Sequence, residues 1–268
     1  MIWCRFEVGG VASYGAVEEN RVTAIDGLPW TDHVATDKTY DLKNVKLLVP
    51  VIPPSFYCAG ANYADHINKR AVIKGVKPKF WPKPEVGYRS NSALIATEEA
   101  IVKPIEAGNE FEYEGELVAV IGKKGKHIKR EDALSYVFGW TIGNDVSERA
   151  WQVGDLSNYR GKNSDTFKPM GPWIVTGLDP KDMTTTIRLN GEITDKFATG
   201  NMLWDTAACI EELSKTITLY PGDILWHGTD GVPRSMVPGD VVEIEISGIG
   251  ILRNPVVAEV PPVDASKA

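Results

Sequence analysis

The clearest pattern in the chain is a switch from alternating polar residues to a continuous apolar run within FEYEGELVAVIG, residues 111–122. Glutamate occupies every second position of the first half, and the last two of these acids are Glu114 and Glu116. Because alternate residues of a strand point to one face, the spacing predicts a strand that carries its carboxylates on one side. Val118 and Val120 continue that side, which indicates that the acids face the protein interior.

Most of the remaining chain also carries strand and turn patterns. The sequence TIRLNGEIT places Asn-Gly between two short strands, and Pro-Gly precedes the predicted strands of YPGDILW and VPGDVVEIEISG. Apolar residues at helical spacing predict helices over residues 130–137 and 205–215, the second with Asp205 or Thr206 as its N-cap. Together these patterns predict a mainly β protein with some α-helix, without alternating strand–helix units.

Proline positions suggest how the chain is divided. Residues 1–50 contain short strands and turns and end at a proline cluster, which predicts a small N-terminal β-rich domain followed by a main domain over residues 51–268. The lysine- and proline-rich stretch 74–92 predicts a long loop, and residues 261–268 predict a loose tail.

Composition narrows the classes of function. The net charge is −7 and no long basic run occurs, which argues against nucleic acid and anionic membrane partners. No apolar run reaches the ~18 residues of a membrane-spanning helix, and the first residues lack the apolar core of a secretory signal. The three cysteines are far apart in sequence, which favours a reducing, cytoplasmic setting without disulfides.

Carboxylates are the most conspicuous chemical groups, because the motifs GxSxG, GxxxxGK[ST] and GxGxxG are absent. The Cα atoms of Glu114 and Glu116 would lie roughly 6.5 Å apart on a strand, so two buried charges would require either a proton or an intervening cation. Oxygen ligands suit Mg²⁺, Mn²⁺ or Ca²⁺. Glu243 and Glu245 show the same spacing on a predicted solvated strand face, so the spacing alone does not define a metal site.

Four further residues are candidates for a site, each with a structural alternative. Asp145, at the end of an apolar run, is either a third metal ligand or a turn residue. Lys162 is either an exposed loop lysine or a group that holds a substrate carboxylate or enolate. His66 and His227 each follow a strand-like segment, and each is either a hydrogen-bonded core residue or a group that faces a cleft.

Several motifs follow one another in a familiar order over about residues 55–257: AGANYADH, FEYEGELVAVIGK, TIGNDVSERAWQ, RGKNSDTFKPMGPW, YPGDILWHGTDGV and PGDVVEIEISGIGILRNPV. In these motifs the chain resembles the fumarylacetoacetate hydrolase family, in its bacterial branch of acylpyruvases and 2-hydroxyhepta-2,4-diene-1,7-dioate isomerases. The resemblance implies a mixed β-sheet roll around a central site, assembled as a homodimer or a larger homo-oligomer.

The resemblance also implies roles for particular residues. Glu114 and Glu116 of YEGEL and Asp145 of GND would hold a divalent cation, Mg²⁺ or Mn²⁺, with Ca²⁺ as a further candidate. His66 and Lys162 would be catalytic.

Two further positions match residues that contact substrate in the family, and two others depart from its pattern. Lys83 of FWPKP and Thr229 of GT would bind substrate. Family hydrolases and decarboxylases often carry a glutamate three positions after the histidine, to act on water, whereas this chain has Lys69 there. The GTPxGV segment of the family reads GTDGV here, directly after His227, which indicates a subgroup with a different substrate.

The expected function is a metal-dependent hydrolase that cleaves a C–C bond in a 2-oxo acid with a second carbonyl two carbons away. Acylpyruvates, fumarylpyruvate and fumarylacetoacetate, some of them intermediates of aromatic catabolism, are substrates of this type. A hydratase, isomerase, tautomerase or decarboxylase that uses the same metal site on a 2-oxo dicarboxylate is the alternative within the fold. A non-enzymatic binder of small dicarboxylates is the alternative from another class.

Overall fold

The computed structural model describes residues 1–261, and the chain within them is mainly β, as predicted. The strands are β1 Ile2–Val8, β2 Val11–Glu18, β3 Arg21–Gly27, β4 His33–Asp41, β5 Lys46–Leu48, β6 Phe56–Gly60, β7 Glu85–Tyr88, β8 Leu94–Ile95, β9 Ile101–Lys103, β10 Phe111–Glu112, β11 Gly115–Ile121, β12 Val137–Asn144, β13 Ser147–Glu148, β14 Lys168–Val175, β15 Thr184–Leu189, β16 Glu192–Ala198, β17 Ile224–Trp226, β18 Val241–Ile246 and β19 Gly250–Ala258. The α-helices are α1 Ala64–Lys74, α2 Arg149–Gly154, α3 Tyr159–Asn163 and α4 Thr206–Ser214. Short 3₁₀ helices cover Leu42–Asn44, Asn91–Ala93, Ala133–Tyr136 and Pro180–Asp182.

A 12-stranded mixed sheet carries the predicted acidic strand near its middle. Its order is β4-β3-β2-β1-β14-β12-β11-β17-β6-β7, with β5 beside β1 and β8 beside β14. Strand β11 is antiparallel to both of its neighbours, β12 and β17. This central position explains the unbroken apolar run after Glu116, because a strand covered on both faces needs apolar side chains on both.

Two separate cores cover the faces of β11. Leu117 and its alternate neighbours pack towards a five-stranded sheet of order β16-β15-β18-β19-β9, in a cluster that includes Ile187 and Ile244. Val118 and Val120 pack on the other side, in a cluster that includes Trp226. The expectation that these two valines face the interior is therefore confirmed.

The N-terminal segment extends the large sheet. Its first strand, β1, pairs with β14 at Ile2 opposite Val175 and Trp3 opposite Ile174. Hydrogen bonding thus continues across the expected boundary near residue 50, and the division into two domains remains a prediction.

Several local predictions can be compared with the structure. The helix expected over 205–215 is confirmed as α4, and the Asp205 side chain accepts a hydrogen bond from the Ala208 N–H at 2.8 Å. The Asn190-Gly191 turn between β15 and β16 is also confirmed, with positive φ at both residues, 54° and 81°.

Two other local predictions need correction, and long-range pairing is the reason in each case. The helix expected over 130–137 is wrong: only the 3₁₀ turn Ala133–Tyr136 forms, because the chain from Val137 onward pairs with β11. The loop expected over 74–92 is confirmed for residues 75–84, but it then gives way to β7, which pairs with β6. The tail expected from residue 261 lies almost wholly outside the described residues. Within residues 1–261, no helix is long and apolar enough to cross a membrane.

Candidate active site

Three buried carboxylates converge where β11 and β12 run side by side. Glu114, Glu116 and Asp145 each offer an oxygen atom, and these atoms lie within 4.8 Å of one another. The backbone holds them in register, because the Asp145 N–H donates to the Glu114 carbonyl at 2.9 Å and the Glu114 N–H donates to the Asn144 side-chain oxygen at 2.9 Å. The structure therefore brings together the three acids that the family resemblance assigned to a cation.

Lys162 bridges two of these acids. It lies on α3, is buried, and places its Nζ 2.6 Å from Glu114 Oε2 and 2.7 Å from Asp145 Oδ2. The interpretation of Lys162 as an exposed loop lysine is therefore wrong, because its ammonium group belongs to the acidic cluster.

Three further cations join the cluster from elements that sequence reasoning passed over. Arg149, the first residue of α2, donates to Glu114 Oε1 and Glu112 Oε2, each at 2.6 Å. Arg89 and Lys168 lie 2.9 Å and 2.6 Å from the Asp145 carboxylate. The sequence does mark Lys168 as unusual, because a lysine at the start of a strongly apolar strand is expected to be buried. Arg89 has no such mark, since it lies at the end of the stretch predicted as a loop.

These cations decide which carboxylates are ionised. Burial raises the pKa of Asp145, but Arg89, Lys162 and Lys168 outweigh it and hold that pKa well below its usual range. Burial likewise raises the pKa of Glu114, and the neighbouring cations Arg149 and Lys162 lower it further than burial raises it.

Glu116 differs from its two neighbours. Its Oε2 accepts a hydrogen bond from the Gly228 N–H at 2.8 Å, and within residues 1–261 no Lys, Arg or His nitrogen lies within 4.0 Å of it. Burial and the charges of Asp145 and Glu114 raise its pKa well above the usual value. A buried carboxylate beside two ionised ones is a position that a hard divalent cation would fit, because carboxylate oxygens are the ligands such ions prefer. The donor set therefore fits the predicted Mg²⁺ or Mn²⁺.

His66 lies on the first turn of α1 and lines the same cavity as the carboxylates. Its Nδ1 is 2.9 Å from the Gly231 carbonyl oxygen. Because a carbonyl only accepts hydrogen bonds, we assign the proton to Nδ1, which leaves Nε2 with a free lone pair. Burial lowers the pKa of His66 below its ordinary 6.5, so the neutral ring is the form present at neutral pH.

The cavity that these residues share has a volume of about 500 Å³. Thr229 lines it, as the resemblance implied for a substrate contact. Lys83 does not lie there: its side chain is exposed, and its Nζ is 3.0 Å from Glu212 Oε1. The structure therefore gives no support to a substrate contact by Lys83.

His227 is a core residue rather than a cleft residue. Its Nδ1 is 3.1 Å from the Leu117 carbonyl oxygen and its Nε2 is 2.8 Å from the Thr206 hydroxyl, with the ring fully buried. Burial lowers its pKa to about 4, so the neutral ring joins β11 to α4. The structural alternative stated for this histidine is the correct one.

The fold and the carboxylate cluster agree with the family models that match the sequence. Residues 55–257 match the model described as fumarylacetoacetate (FAA) hydrolase, C-terminal, and residues 1–50 match the model described as Rv2993c-like, N-terminal. The chain belongs to the fumarylacetoacetate hydrolase family.

Proteins that are similar to this chain are named for different activities. The chain is 39% identical over 225 residues to oxaloacetate tautomerase Fahd2a, mitochondrial, of Rattus norvegicus, covering 80% of this chain and 70% of that protein. It superimposes on 5-carboxymethyl-2-hydroxymuconate delta-isomerase from Mycobacterium smegmatis with a TM-score of 0.87 and 33% identity, over 97% of this chain and 100% of the other. Maleylpyruvate hydrolase from Sphingobium sp. SYK-6, in complex with manganese(II) and pyruvate, gives a TM-score of 0.78 and 25% identity over the same shares.

Proposed function

We propose that this protein is a divalent-metal-dependent enzyme that transfers a proton next to the 2-oxo group of a 2-oxo dicarboxylate, as a tautomerase or isomerase. The observation that carries the proposal is the surroundings of His66. Its Nδ1 faces the Gly231 carbonyl, and the residue one turn later is the exposed Lys69 instead of a carboxylate. Within residues 1–261, His66 forms no ion pair with a carboxylate. A base without such a partner suits proton abstraction from carbon better than activation of water.

The names of the relatives support a proton shift rather than bond cleavage. The rat relative is named as an oxaloacetate tautomerase and the mycobacterial structure as an isomerase. Both reactions move a proton and leave the molecular formula unchanged. The expected C–C hydrolase remains a prediction, and the lysine at position 69 is the feature that weighs against it.

The three carboxylates Glu114, Glu116 and Asp145 would hold the ion, which we propose to be Mg²⁺ or Mn²⁺. When bound, such an ion supplies a Lewis acid for adjacent carboxylate and 2-oxo oxygens and so lowers the free energy of enolate charge. Lys162, whose ammonium group bridges two of the three acids, would add positive charge at the same place.

His66 would perform the proton transfer. Its Nε2 would accept a proton from C3 of the substrate as the C2–C3 double bond forms and the electron pair moves to the C2 oxygen. Solvent protonates that oxygen and takes the proton from His66 Nε2, which completes the enol and regenerates the neutral ring, and the reverse sequence returns the keto acid. No water is consumed and no electron acceptor is needed, so these residues suffice for the chain's part of the reaction.

Oxaloacetate in D₂O provides a direct test. With Mg²⁺ present, we expect the enzyme to accelerate both the decay of enol absorbance and the exchange of the C3 hydrogens, measured by NMR against a metal-only control. EDTA should abolish the acceleration, and Mg²⁺ or Mn²⁺ should restore it. Release of two fragments from an acylpyruvate, or of CO₂ from oxaloacetate, at a higher rate than C3 exchange would overturn the proposal.

A substitution at position 69 separates the proton shift from hydrolysis. Lys69→Glu restores the acidic residue that family hydrolases often carry, so it should raise acylpyruvate hydrolysis while leaving C3 exchange within about twofold. Lys69→Gln removes the same positive charge without adding a carboxylate and is the matched control. If wild type already hydrolysed acylpyruvates as fast as it exchanged C3, the role assigned to position 69 would be wrong.

A further inference from the structure

We propose that α1 and the residues directly after it carry a cationic ladder, defined as Arg70, Lys74 and Lys77, which binds the second carboxylate of the substrate and so sets its length. This inference rests on the proposed function, because it assigns the distal end of the molecule whose 2-oxo end lies at the carboxylate cluster. All three ladder residues line the same cavity as His66.

Helix geometry places Arg70 and Lys74 at regular steps from the proposed base. His66, Arg70 and Lys74 are four residues apart and share one face of α1. At a rise of about 1.5 Å per residue, Arg70 lies about 6 Å and Lys74 about 12 Å along the helix from His66. The helix ends at Lys74, Gly75 is its C-cap, and Lys77 follows in the lining of the cavity.

Arg70 is a half-buried cation with a weak internal partner. Its side chain is 16% exposed, and its Nη1 is 3.3 and 3.4 Å from the two oxygens of Glu112. Glu112 already accepts a hydrogen bond of 2.6 Å from Arg149. Hydrogen bonds longer than about 3.2 Å are weak, so the Arg70 guanidinium retains donors for a ligand.

The two lysines lie free towards the mouth. Among the ion pairs of residues 1–261, none includes the Lys74 or Lys77 ammonium group. Glu85 also lines the cavity and is exposed, and so does Lys79, whose Nζ lies 3.5 Å from the centroid of the Trp81 ring. Positive charge therefore exceeds negative charge at the mouth.

Positive charge also exceeds negative charge in the inner part of the cavity, near the carboxylate cluster. Three carboxylates and four cations line it, and with all of them ionised a divalent ion would raise the local charge from +1 to +3. The carboxylates belong to Glu114, Glu116 and Asp145, and the cations to Arg70, Arg89, Arg149 and Lys162. Glu112 and Lys168, which pair with members of this set, add one charge of each sign. In a protein whose net charge is −7, this local excess selects a dianion over a monoanion.

The steps along α1 also predict chain length. A four-carbon diacid such as oxaloacetate is too short for its second carboxylate to lie a full helical turn beyond the base. At about 1.5 Å per C–C bond, acids of about six or seven carbons reach Arg70, and longer ones reach Lys74. The cavity volume of about 500 Å³ leaves room for such chains.

The test compares 2-oxo diacids of four, five, six and seven carbons with their distal methyl esters, using C3 exchange in D₂O at saturating Mg²⁺. We expect kcat/KM to peak at six or seven carbons. Arg70→Gln should lower kcat/KM for the preferred diacid by about 10- to 100-fold, as loss of a charged hydrogen bond does, and for its ester by less than about twofold. Lys129→Gln, an exposed lysine outside the cavity, is the charge-matched control and should change neither.

Two outcomes would overturn the ladder. Equal losses on diacid and ester in Arg70→Gln would mean that Arg70 supports the fold of α1, and continued exchange by the wild type would leave the proposed function standing. The ladder would also be overturned if the wild type showed no preference for the diacid over its ester. Arg70→Lys keeps the positive charge and should retain most of the preference for the diacid. This variant therefore separates loss of the charge from misfolding of Arg70→Gln.

A binding measurement separates this inference from the proposed function. If the wild type exchanged no substrate in the series, calorimetry with Mg²⁺ would compare the six-carbon diacid with its methyl ester. A preference of tenfold or more that Arg70→Gln removes would sustain the ladder without the tautomerase function. Equal affinities would overturn the ladder.

Discussion

Two pairs of glutamates with the same spacing have opposite surroundings in this protein. Glu114 and Glu116 are buried in the carboxylate cluster, where the Glu116 side chain contacts a backbone N–H and no cation of the described chain. Glu245 on β18 has a side chain that is 40% exposed, and it forms an ion pair with Arg188 at 2.7 Å. Glu243, the other glutamate of this motif, lies 3.6 Å from Arg253. Equal spacing thus gives a candidate metal centre in one strand and a solvated face in the other.

The residues that follow each pair explain the difference. After Glu116, five consecutive residues are apolar, as required in a strand that is covered on both faces. In β18, Val242, Ile244 and Ile246 alternate with the acids, because one face packs on the core and the other meets solvent. An ExE motif therefore indicates a buried site only where the apolar run after it is continuous.

The largest contrast should appear in activity. Glu116→Gln removes the charge that would hold the ion but keeps the shape of the side chain, and we expect the C3 exchange rate to fall by about 1,000-fold, equivalent to several kcal/mol of Lewis-acid stabilisation. Glu245→Gln makes the same chemical change on β18 and should leave the rate within about twofold. Similar losses in the two variants would refute the assignment of the metal to β11.

The two pairs should also differ in their contribution to folding. Glu114→Ala leaves Arg149 and Lys162 buried with one carboxylate fewer, which we expect to lower the free energy of unfolding by about 3 kcal/mol. The cost stays at the low end for buried pairs because each cation keeps a second carboxylate. Glu243→Ala, on the exposed face, should cost less than about 1 kcal/mol. Urea unfolding of EDTA-treated protein measures both, and a smaller loss for Glu114 than for Glu243 would contradict this account.

The pH dependence of kcat/KM should reveal His66 as the base beside the buried pair. Protonated His66 cannot accept a proton, and burial lowers its pKa below 6.5, so kcat/KM should be constant above pH 6.5 and fall tenfold per pH unit below that lowered pKa. His66→Gln should reduce kcat/KM by about 100-fold and remove this acidic limb. An acidic limb that persists unchanged in His66→Gln would show that another group is the base.

The burial of Glu116 could be predicted from the sequence because it lies at the start of a strand with a strong local pattern, whereas the set of Glu114, Glu116 and Asp145 came from the resemblance to the family. The run after Glu116 indicates a doubly covered strand without any knowledge of its neighbours. Arg89 was missed because its role depends on the pairing of β7 with β6, whereas Lys168 could have been noticed as a lysine at the start of an apolar strand. The helix expected from residue 130 failed for the same reason, since pairing with β11 determines the conformation from Val137 onward.

The smallest expected effect is on the free energy of unfolding when the exposed pair loses one charge. Glu245→Gln removes one side of an ion pair with Arg188 on a face open to solvent, so the free energy of unfolding should fall by less than about 1 kcal/mol. Because solvent ions screen such pairs, the difference from wild type should shrink further in 1 M NaCl, whereas the loss in Glu114→Ala should persist there. Urea unfolding at the two salt concentrations measures both. A loss in Glu245→Gln that is large and independent of salt would mean that burial does not separate the two pairs, and that a continuous apolar run does not distinguish a buried acidic pair from an exposed one.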